Sequence, residues 1–318
     1  MKKYPLKLTY ISKSAIWGGS LLSSKWGKIA DGDNIAESWE LSVREREMAR
    51  VTDGEAAGLT LAEYFDLCGY DCVSPLYRKG DRFPLLVKLI DAHDRLSVQV
   101  HPDDAYASSV EGDSGKTELW YIVDAEEGAE IIYGLAEGKD SADLARAMDG
   151  GDIDSVMRRI PVRAGESYFI PAGTVHAIGA GILIAEIQQN SDLTYRVYDY
   201  DRRGPDGRLR ELHTKKALDV VRPYTEDEVS AIRFSRGRSD GVICNSKYFK
   251  VRVMTVLGEE SMRAERDSFT SLLCIGGEGY IEQGDERYAV SCGDSYFIPA
   301  DMGDYRIVGG LSLICSTL

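Results

Sequence analysis

A histidine follows a glycine- and proline-rich turn in the middle of the sequence. Within residues 163–196 the spacing is Gly165, five residues, Pro171, one residue, Gly173, two residues and His176. Glycine and proline at these positions favour tight turns, and the flanking residues have the pattern of short strands. The chain reversal would direct the His176 imidazole into the interior of a sheet, where a histidine is suited to bind a metal.

Two upstream segments would supply the other metal ligands. Strand alternation places polar side chains on one face of each segment. They are Ser97, Gln99 and His101 in LSVQVHPDD, and Lys116, Glu118 and Trp120 in GKTELWYIV. A polar strand face usually meets solvent, and that is the alternative for Gln99 and His101. The neighbouring run FPLLVKLI is apolar nearly throughout, however, which favours strands covered on both faces.

The chemistry of this set is that of a metal site without thiolates. His101 and His176 offer two imidazoles, Glu118 one carboxylate and Gln99 an amide oxygen. Such ligands suit Zn²⁺ and could also hold Mn²⁺, Fe²⁺ or Co²⁺, and catalytic zinc sites use histidine and carboxylate while leaving one position open. We therefore expect one zinc ion per chain, with Gln99 as the weakest ligand.

These motifs resemble those of a known family. The set matches the two-part metal motif of the cupin barrels, Q/H-x-H, then Glu, then the Pro-Gly-His turn. SVQVHPDD, GKTELWY, GESYFIPAGTVHAIG, QNSDLTYRVYDYDR and ESWELS resemble the short bacterial form of class I mannose-6-phosphate isomerase. The resemblance covers about residues 4–221 and continues more weakly to the C-terminus.

The resemblance implies an activity and roles for further residues. The activity is a metal-dependent aldose–ketose isomerisation between mannose 6-phosphate and fructose 6-phosphate through an enediol. Such a reaction needs a proton moved between adjacent carbons, stabilised enediolate oxygens and a grip on the phosphate. Arg196 and Lys116 suit the anionic oxygens, Ser97 the phosphate, and Glu186 a proton shuttle or an orienter of the metal ligands.

The sequence leaves alternatives open for the position of Lys88 and for the group that takes the proton. The family places a substrate-facing lysine at the position of Lys88 in LLVKLI, whereas a lysine at a strand edge would reach solvent. The group that takes the proton is a metal-bound hydroxide, Glu186 or a ring-opening histidine. Arg196 could instead form a structural ion pair with Asp199 or Asp201. His93 and His213 are expected at the surface.

Two other classes of function fit part of the pattern. A cupin with two histidines and a glutamate could be an iron-dependent oxygenase, which oxygen uptake would reveal. A non-catalytic sugar-phosphate-binding cupin is the other alternative. The closely placed Lys116 and Arg196 favour a phosphosugar over the oxygenase, and a full ligand set favours an enzyme over the binding protein.

An internal repeat indicates two barrels. GDSYFIPADMGDY at 293–305 matches GESYFIPAGTVHA at 165–177 in seven of the first eight residues, at an offset of 128. Two cupin units in tandem follow from this repeat. In the second copy Asp304 aligns with His176, so we expect the second barrel to bind no metal.

The predicted fold is therefore mainly β: tandem cupin (jelly-roll) barrels with a few short helices, the second barrel degenerate. We expect a catalytic metal-binding domain at 1–222 with a β-rich N-terminal extension, a linker at 223–239 and a C-terminal cupin domain at 240–318. Helical spacing predicts one short helix over 60–68 and two over 139–160, broken at Gly150-Gly151.

The composition limits which binding partners and which cellular compartment can be expected. The net charge of −14 at pH 7 argues against non-specific binding to nucleic acid or anionic membranes, so an anionic sugar phosphate would need a locally basic pocket. No apolar run approaches the roughly 20 residues of a membrane span, and the N-terminus has no secretory pattern. Six cysteines without a C-x2-C pair predict reduced thiols and a cytoplasmic protein.

Overall fold

The computed structural model describes residues 1–29, 34–204, 207–225, 227–229 and 241–318. Over these residues the chain is mainly β, as the sequence pattern predicts. The strands are β1 (Leu6–Lys7), β2 (Ile11–Lys13), β3 (Glu37–Leu41), β4 (Val43–Arg44), β5 (Glu47–Met48), β6 (Leu85–Ala92), β7 (Val98–Val100), β8 (Glu118–Ala125), β9 (Glu130–Leu135), β10 (Met157–Pro161), β11 (Ser167–Ile170), β12 (His176–Ile178), β13 (Ile182–Gln189), β14 (Tyr195–Tyr198), β15 (Val242–Asn245), β16 (Lys250–Ala264), β17 (Thr270–Gln283), β18 (Glu286–Ser291), β19 (Ser295–Ile298) and β20 (Gly303–Thr317). The helices are α1 (Leu21–Ser24), α2 (Leu61–Cys68), α3 (Asp104–Val110), α4 (Ser141–Gly150) and α5 (Thr214–Val220).

Two antiparallel sheets form the barrel of the N-terminal half. One sheet has the strand order β11-β8-β13-β6-β3-β2 and the other the order β10-β9-β12-β7-β14. Trp120 and Ile184 from the first sheet and Ile131 and Ile178 from the second belong to one buried apolar cluster. The two sheets therefore face each other across a shared core, as in a jelly-roll barrel.

The central strands β6 and β13 are buried along their whole length. This confirms that FPLLVKLI belongs to a strand covered on both faces. Lys88 is only 4% exposed and lies in β6 between β13 and β3. The alternative in which Lys88 reaches solvent at a strand edge is therefore wrong.

The helices follow the sequence pattern in part. α2 begins at a capping box formed by Thr60 and Glu63 and ends at Gly69, where φ is 100°. Only the first of the two helices expected at 139–160 is present, as α4. After Gly151 the chain forms one 3₁₀ turn, Ile153–Val156, and then enters strand β10. The prediction of a second helix was wrong because residues 157–161 pair with β9.

The C-terminal half is one sheet curved around its own core. Its order is β1-β19-β17-β20-β16-β15, with β18 paired to β17. Strands β16, β17 and β20 are 14 or 15 residues long, and their inward side chains form a separate apolar cluster. The repeated SYFI segments form β11 and β19 at the same offset, so the structure supports two related barrels.

An aromatic core joins the two halves. The rings of Phe83 and Phe269 are 5.2 Å apart, and those of Phe65 and Phe297 are 5.6 Å apart. Strand β1, at the N-terminus, pairs with β19 of the C-terminal sheet. The halves are thus packed against each other rather than simply tethered.

The predicted linker is described only in part. Positions 226 and 230–239 of the expected 223–239 segment lie outside the described residues. Within the segment, Val229 is fully buried in the core of the first barrel. Among the described helices, none has the length and apolar character needed to cross a membrane.

Candidate metal centre

Strands β7, β8 and β12 bring three ligand-type side chains together inside the first barrel. His101 follows β7, Glu118 begins β8 and His176 begins β12. Each is at most 1% exposed. Strand alternation predicts His101 and Glu118 from the sequence, and the preceding glycine- and proline-rich turn predicts His176.

The three side chains converge at distances suited to a single ion. His101 Nε2 is 3.1 Å from Glu118 Oε1 and 3.1 Å from His176 Nε2, and His176 Nε2 is 3.8 Å from Glu118 Oε2. Ligands at about 2.0–2.2 Å from one metal lie roughly 3–3.6 Å from each other. All candidate ligand atoms fall within 4.8 Å of one another, so the cluster fits a metal ion.

Protonation also fits metal binding. Burial and the Lys116 ammonium lower the pKa of His101 to about 3, and burial lowers the pKa of His176. Burial alone would raise the pKa of Glu118, but Lys116 and His101 hold it well below its usual value. His176 Nδ1 donates to the Thr174 carbonyl at 2.8 Å, which leaves the Nε2 lone pair facing the cluster. The set therefore presents two neutral imidazoles and a carboxylate.

Gln99 on β7 lies between His176 on β12 and Arg196 on β14. Cross-strand pairing sets Gln99 opposite His176 on one side and opposite Arg196 on the other. Paired residues share a face of the sheet, so all three face the barrel interior. Gln99 is partly exposed and forms no side-chain hydrogen bond to another described residue, which leaves its role as a ligand a prediction.

Arg196 has no carboxylate partner among the described residues. Its Nη1 donates to the Glu211 carbonyl at 2.7 Å, and its Nε is buried without a hydrogen-bond partner. Asp199, one of the two ion-pair partners considered from the sequence, instead contacts Arg202 and Arg210. Burial and the charge of Arg210 lower the pKa of Arg196. A partly buried cation without a counter-charge is suited to meet an anion.

Glu186 and Lys88 lie in a buried chain of charges beside the cluster. Lys88 Nζ is 3.5 Å from Glu186 Oε1 and 3.3 Å from Glu37 Oε2. Burial and Glu118 raise the pKa of Glu186 to about 7. Burial disfavours the charged form of Lys88, but Glu37 and Glu186 outweigh it and raise its pKa. A carboxyl group titrating near neutrality is suited to accept and return a proton.

Lys116 contacts the cluster directly, whereas Ser97 is known only to be buried on the neighbouring strand segment. Lys116 Nζ is 2.8 Å from Glu118 Oε1 and 3.3 Å from His101 Nε2. Ser97 is buried two residues before Gln99, and no hydrogen bond of its hydroxyl to another described residue is seen. Lys116 is thus part of the cluster's environment, whereas Ser97 is placed by strand position alone.

The remaining histidines lie outside the cluster. His93 is exposed, as expected. His213 precedes α5, and its Nδ1 accepts the backbone N–H of Arg196 at 3.1 Å. It is therefore partly enclosed and supports the strand that carries Arg196, rather than standing at the surface.

The register corrects the sequence alignment of the second barrel. Asp304 does not stand in the position of His176, because it is exposed and its carboxylate pairs with Arg263 at 2.7 Å. The inward residue at that place is Tyr305, which packs in the interior cluster together with Ile307, as His176 and Ile178 face the first barrel. One residue inserted in the preceding turn explains the shift.

The second barrel has apolar or neutral residues at the other ligand positions. Thr270 pairs with Ile298 as Glu118 pairs with Ile170. With Tyr305 at the place of His176, Met262 stands opposite it as Gln99 stands opposite His176. No cluster able to hold a metal is found in the described part of this barrel.

Sequence reasoning missed two participants of the site. Glu37, in ESWELS, reaches Lys88 and accepts a hydrogen bond from Trp39 Nε1 at 2.7 Å. Trp120 was grouped with Lys116 and Glu118 by alternation but given no role. Its indole Nε1 is 3.0 Å from both Glu118 Oε2 and Glu186 Oε2. Only the order of strands in the sheet brings Glu186 next to β8 and Glu37 next to Lys88 of β6.

Comparison with known proteins agrees with the geometry. The family model described as phosphomannose isomerase type I, catalytic domain, matches residues 6–135, and that described as mannose-6-phosphate isomerase, cupin domain, matches 242–318. The mannose-6-phosphate isomerase of Streptococcus mutans is 38% identical over 317 residues, with 98% of each chain covered. Mannose-6-phosphate isomerase ManA of Bacillus subtilis is 36% identical over 325 residues, with 100% of each covered.

Solved structures show the same fold. The crystal structure of mannose 6-phosphate isomerase from Bacillus subtilis aligns with a TM-score of 0.89 at 36% identity and covers 99% of both chains. A zinc-bound mannose 6-phosphate isomerase aligns with a TM-score of 0.78 at 17% identity over 98% of each chain.

The fold and the site together define a two-barrel cupin protein whose first barrel carries a cluster able to hold a metal ion. With both family models matched and relatives 36–38% identical over nearly the whole chain, the chain belongs to the type I mannose-6-phosphate isomerase family. Its activity is the aldose–ketose isomerisation of mannose 6-phosphate and fructose 6-phosphate.

Proposed function

We propose that the isomerase uses one Zn²⁺ held by His101, Glu118 and His176, with Gln99 as a fourth ligand. The observation that carries this proposal is the convergence of two neutral imidazoles and a carboxylate on one point inside the barrel. A zinc-bound mannose 6-phosphate isomerase of the same fold adds support. When bound, the ion would supply Lewis-acid polarisation of substrate oxygens.

Glu186 is proposed to carry the proton. Its carboxylate takes the proton from C2 of the open-chain aldose, which leaves an enediolate with the negative charge on O1. A proton passes from O2 to O1, and Glu186 returns its own proton to C1, so that C2 becomes the ketone carbon. Oε2 accepts from Trp120, so Oε1 is the oxygen available to the substrate. Without a bound ion, burial and Glu118 raise its pKa to about 7, so its carboxylate is a stronger base than that of an ordinary glutamate.

The cations of the site are proposed to bind the anionic substrate. Arg196 is assigned to the oxygens of the reacting end, since among the described residues it has no carboxylate partner and its Nε is buried without a hydrogen bond. Lys116, Lys88 and Ser97 are assigned to the sugar phosphate. The two lysines are already buried, so they would bind substrate oxygens with little further loss of hydration.

Separate roles are also proposed for the two halves of the chain. Residues 1–222 form the catalytic domain, 223–239 the linker and 240–318 a degenerate cupin domain that binds no metal. A cytoplasmic location is supported by the six cysteines, all of which are unpaired.

Metal removal and return test the proposal. Purified protein should contain close to one divalent ion per chain by elemental analysis. It should lose isomerase activity on mannose 6-phosphate after chelation and regain it with zinc, as followed by a coupled assay. His176→Ala should lose the ion, whereas His93→Ala, at an exposed histidine, should keep it. A fully loaded His176→Ala protein would remove this cluster as the metal site.

A further inference from the structure

Trp120 contacts three side chains of the proposed site. Its side chain is fully buried. Its indole Nε1 lies 3.0 Å from Glu118 Oε2 and 3.0 Å from Glu186 Oε2. Its ring packs edge-on against His176, with centroids 5.3 Å apart and an interplanar angle of 79°. One side chain therefore touches two candidate metal ligands and the candidate proton carrier.

The indole can orient these groups but cannot relay a proton between them. Its N–H is a donor only, so both carboxylates accept from the same hydrogen. Each carboxylate thereby has one oxygen fixed and the other directed away from the indole. Glu118 Oε1 faces His101 at 3.1 Å, and Glu186 Oε1 faces Lys88 at 3.5 Å.

Strand register explains why Trp120 stands at this point. It follows Glu118 by two residues on β8, so both side chains lie on the inner face. Glu186 is directly opposite Trp120 on the neighbouring strand β13. On the other side of β8, Tyr168 pairs with Trp120. Strand pairing on both sides of β8 thus fixes the place of the indole beside Glu118 and Glu186.

We propose that Trp120 is a positioning residue that sets the orientation of Glu118 for metal binding and holds Glu186 beside the same centre. The inference rests on the proposed function, because it requires that His101, Glu118 and His176 bind a divalent metal. Hydrogen-bond partners of metal ligands typically contribute 10- to 100-fold to metal affinity. A purely structural tryptophan would affect stability without affecting metal affinity.

Trp120→Phe tests the inference because it removes the N–H and keeps an aromatic ring. The zinc dissociation constant, measured by competition with a chromogenic chelator, should rise 10- to 100-fold. With saturating zinc, kcat should fall at least 10-fold while KM changes less. Trp26→Phe is the matched control, since Trp26 is a buried core tryptophan remote from the cluster. It should bind zinc within twofold of the wild type.

Zinc affinity of Trp120→Phe within twofold of the wild type would overturn the inference. A wild-type protein that binds no zinc would instead refute the proposed function, so the two failures are distinguishable.

A second measurement does not depend on the folding of Trp120→Phe. The indole N–H signals of the wild type are recorded by ¹H–¹⁵N NMR with and without zinc, and Trp120 is assigned by elimination from Phe variants of the other three tryptophans. Zinc should shift the Trp120 signal more than that of Trp26. A Trp120 signal unmoved by zinc would also overturn the inference.

Discussion

Arg196 differs from two neighbouring arginines in its hydrogen-bond and ion-pair partners. Arg202 and Arg210 both pair with Asp199, at 2.5 and 3.3 Å, whereas the guanidinium of Arg196 contacts only a carbonyl oxygen within the described residues. Its charge is therefore not neutralised by a carboxylate in the described part of the fold, which agrees with the proposed contact between Arg196, opposite Gln99, and the anionic substrate.

Arg196→Ala should lower kcat by on the order of 100-fold or more, the scale found when one preorganised oxyanion donor is removed. Metal content and melting temperature should change little, because the fold loses one hydrogen bond to a carbonyl. Steady-state kinetics, elemental analysis and thermal melting measure the three quantities.

Arg159→Ala serves as the control for Arg196. Arg159 pairs with Glu130 and Asp154 outside the cluster, so its loss should leave kcat unchanged. Wild-type turnover by Arg196→Ala would exclude Arg196 from the reaction.

The raised pKa of Glu186 predicts how pH affects stability. Its folded-state pKa is about 7, against an ordinary value of 4.5. Between these values the folded chain keeps a proton that the unfolded chain has released, so ionisation of Glu186 costs stability as pH rises through this window. Glu186→Gln removes that cost. Its melting temperature relative to the wild type should rise by several °C from pH 5 to pH 8.

The measurement uses chelator-treated protein, since a bound cation would itself lower the pKa of Glu186. Glu45→Gln, at an exposed carboxylate, controls for the loss of one negative charge. A pH-independent difference between Glu186→Gln and the wild type would contradict a carboxyl group titrating near 7.

At the scale of elements, the turn between β11 and β12 places His176. Gly173 has φ +87°, and a Cβ there would lie 2.9 Å from the Val220 carbonyl oxygen and 3.1 Å from Arg222 Cβ. Its N–H also donates to the His101 carbonyl at 2.8 Å. The turn is thus fixed by its backbone conformation and by close packing against the segment after α5.

Gly165→Ala and Gly173→Ala form a matched pair. Both glycines have φ +87°, but a Cβ at Gly165 would meet no atom within 4 Å. Gly165→Ala should cost about 1–2 kcal/mol from left-handed backbone strain alone. Gly173→Ala should lower the melting temperature further and weaken zinc binding, because the added collision moves the turn before His176. Equal melting temperatures and equal zinc affinity in the two variants would contradict this account.

In the molecule as a whole, hydrogen bonds connect the second barrel to the segment that carries Glu118. Tyr248 of the C-terminal half donates to Asp104 Oδ2 at 2.7 Å. Asp104 Oδ1 accepts from Gly115 N at 3.0 Å and from Gln189 Nε2 at 2.9 Å. Gln189 Oε1 in turn accepts from Thr117 N at 2.9 Å, between Lys116 and Glu118. The network links the C-terminal barrel, in whose described part no metal-ligand cluster is found, to the strand that carries Glu118.

Tyr248→Phe should cost about 1 kcal/mol of unfolding free energy, the usual contribution of one hydrogen bond, and lower kcat severalfold by loosening the segment before Glu118. Denaturant unfolding and steady-state kinetics measure these effects. Tyr280→Phe, at a partly exposed tyrosine of the same half, should change neither quantity. Unaltered kcat in Tyr248→Phe would show that the second barrel does not support the site through this contact.

Local patterns in the sequence identify the residues of the candidate metal centre and the repeat that indicates a second barrel. His101, Glu118 and His176 were identified because alternation in a strand and the spacing of a turn are local properties, written in consecutive residues. The repeated SYFI segments identified the second barrel for the same reason, and the resemblance to one family supplied the activity.

The side chains that surround this centre follow from the arrangement of strands in space. Glu37, Lys88, Glu186 and Trp120 come from four strands whose order, β3-β6-β13-β8, is not the order of the chain. Asp304 was aligned with His176, yet one inserted residue turned it outward and Tyr305 inward. A single-residue shift reverses every side chain of a strand, and only pairing with the neighbouring strands fixes which face is buried.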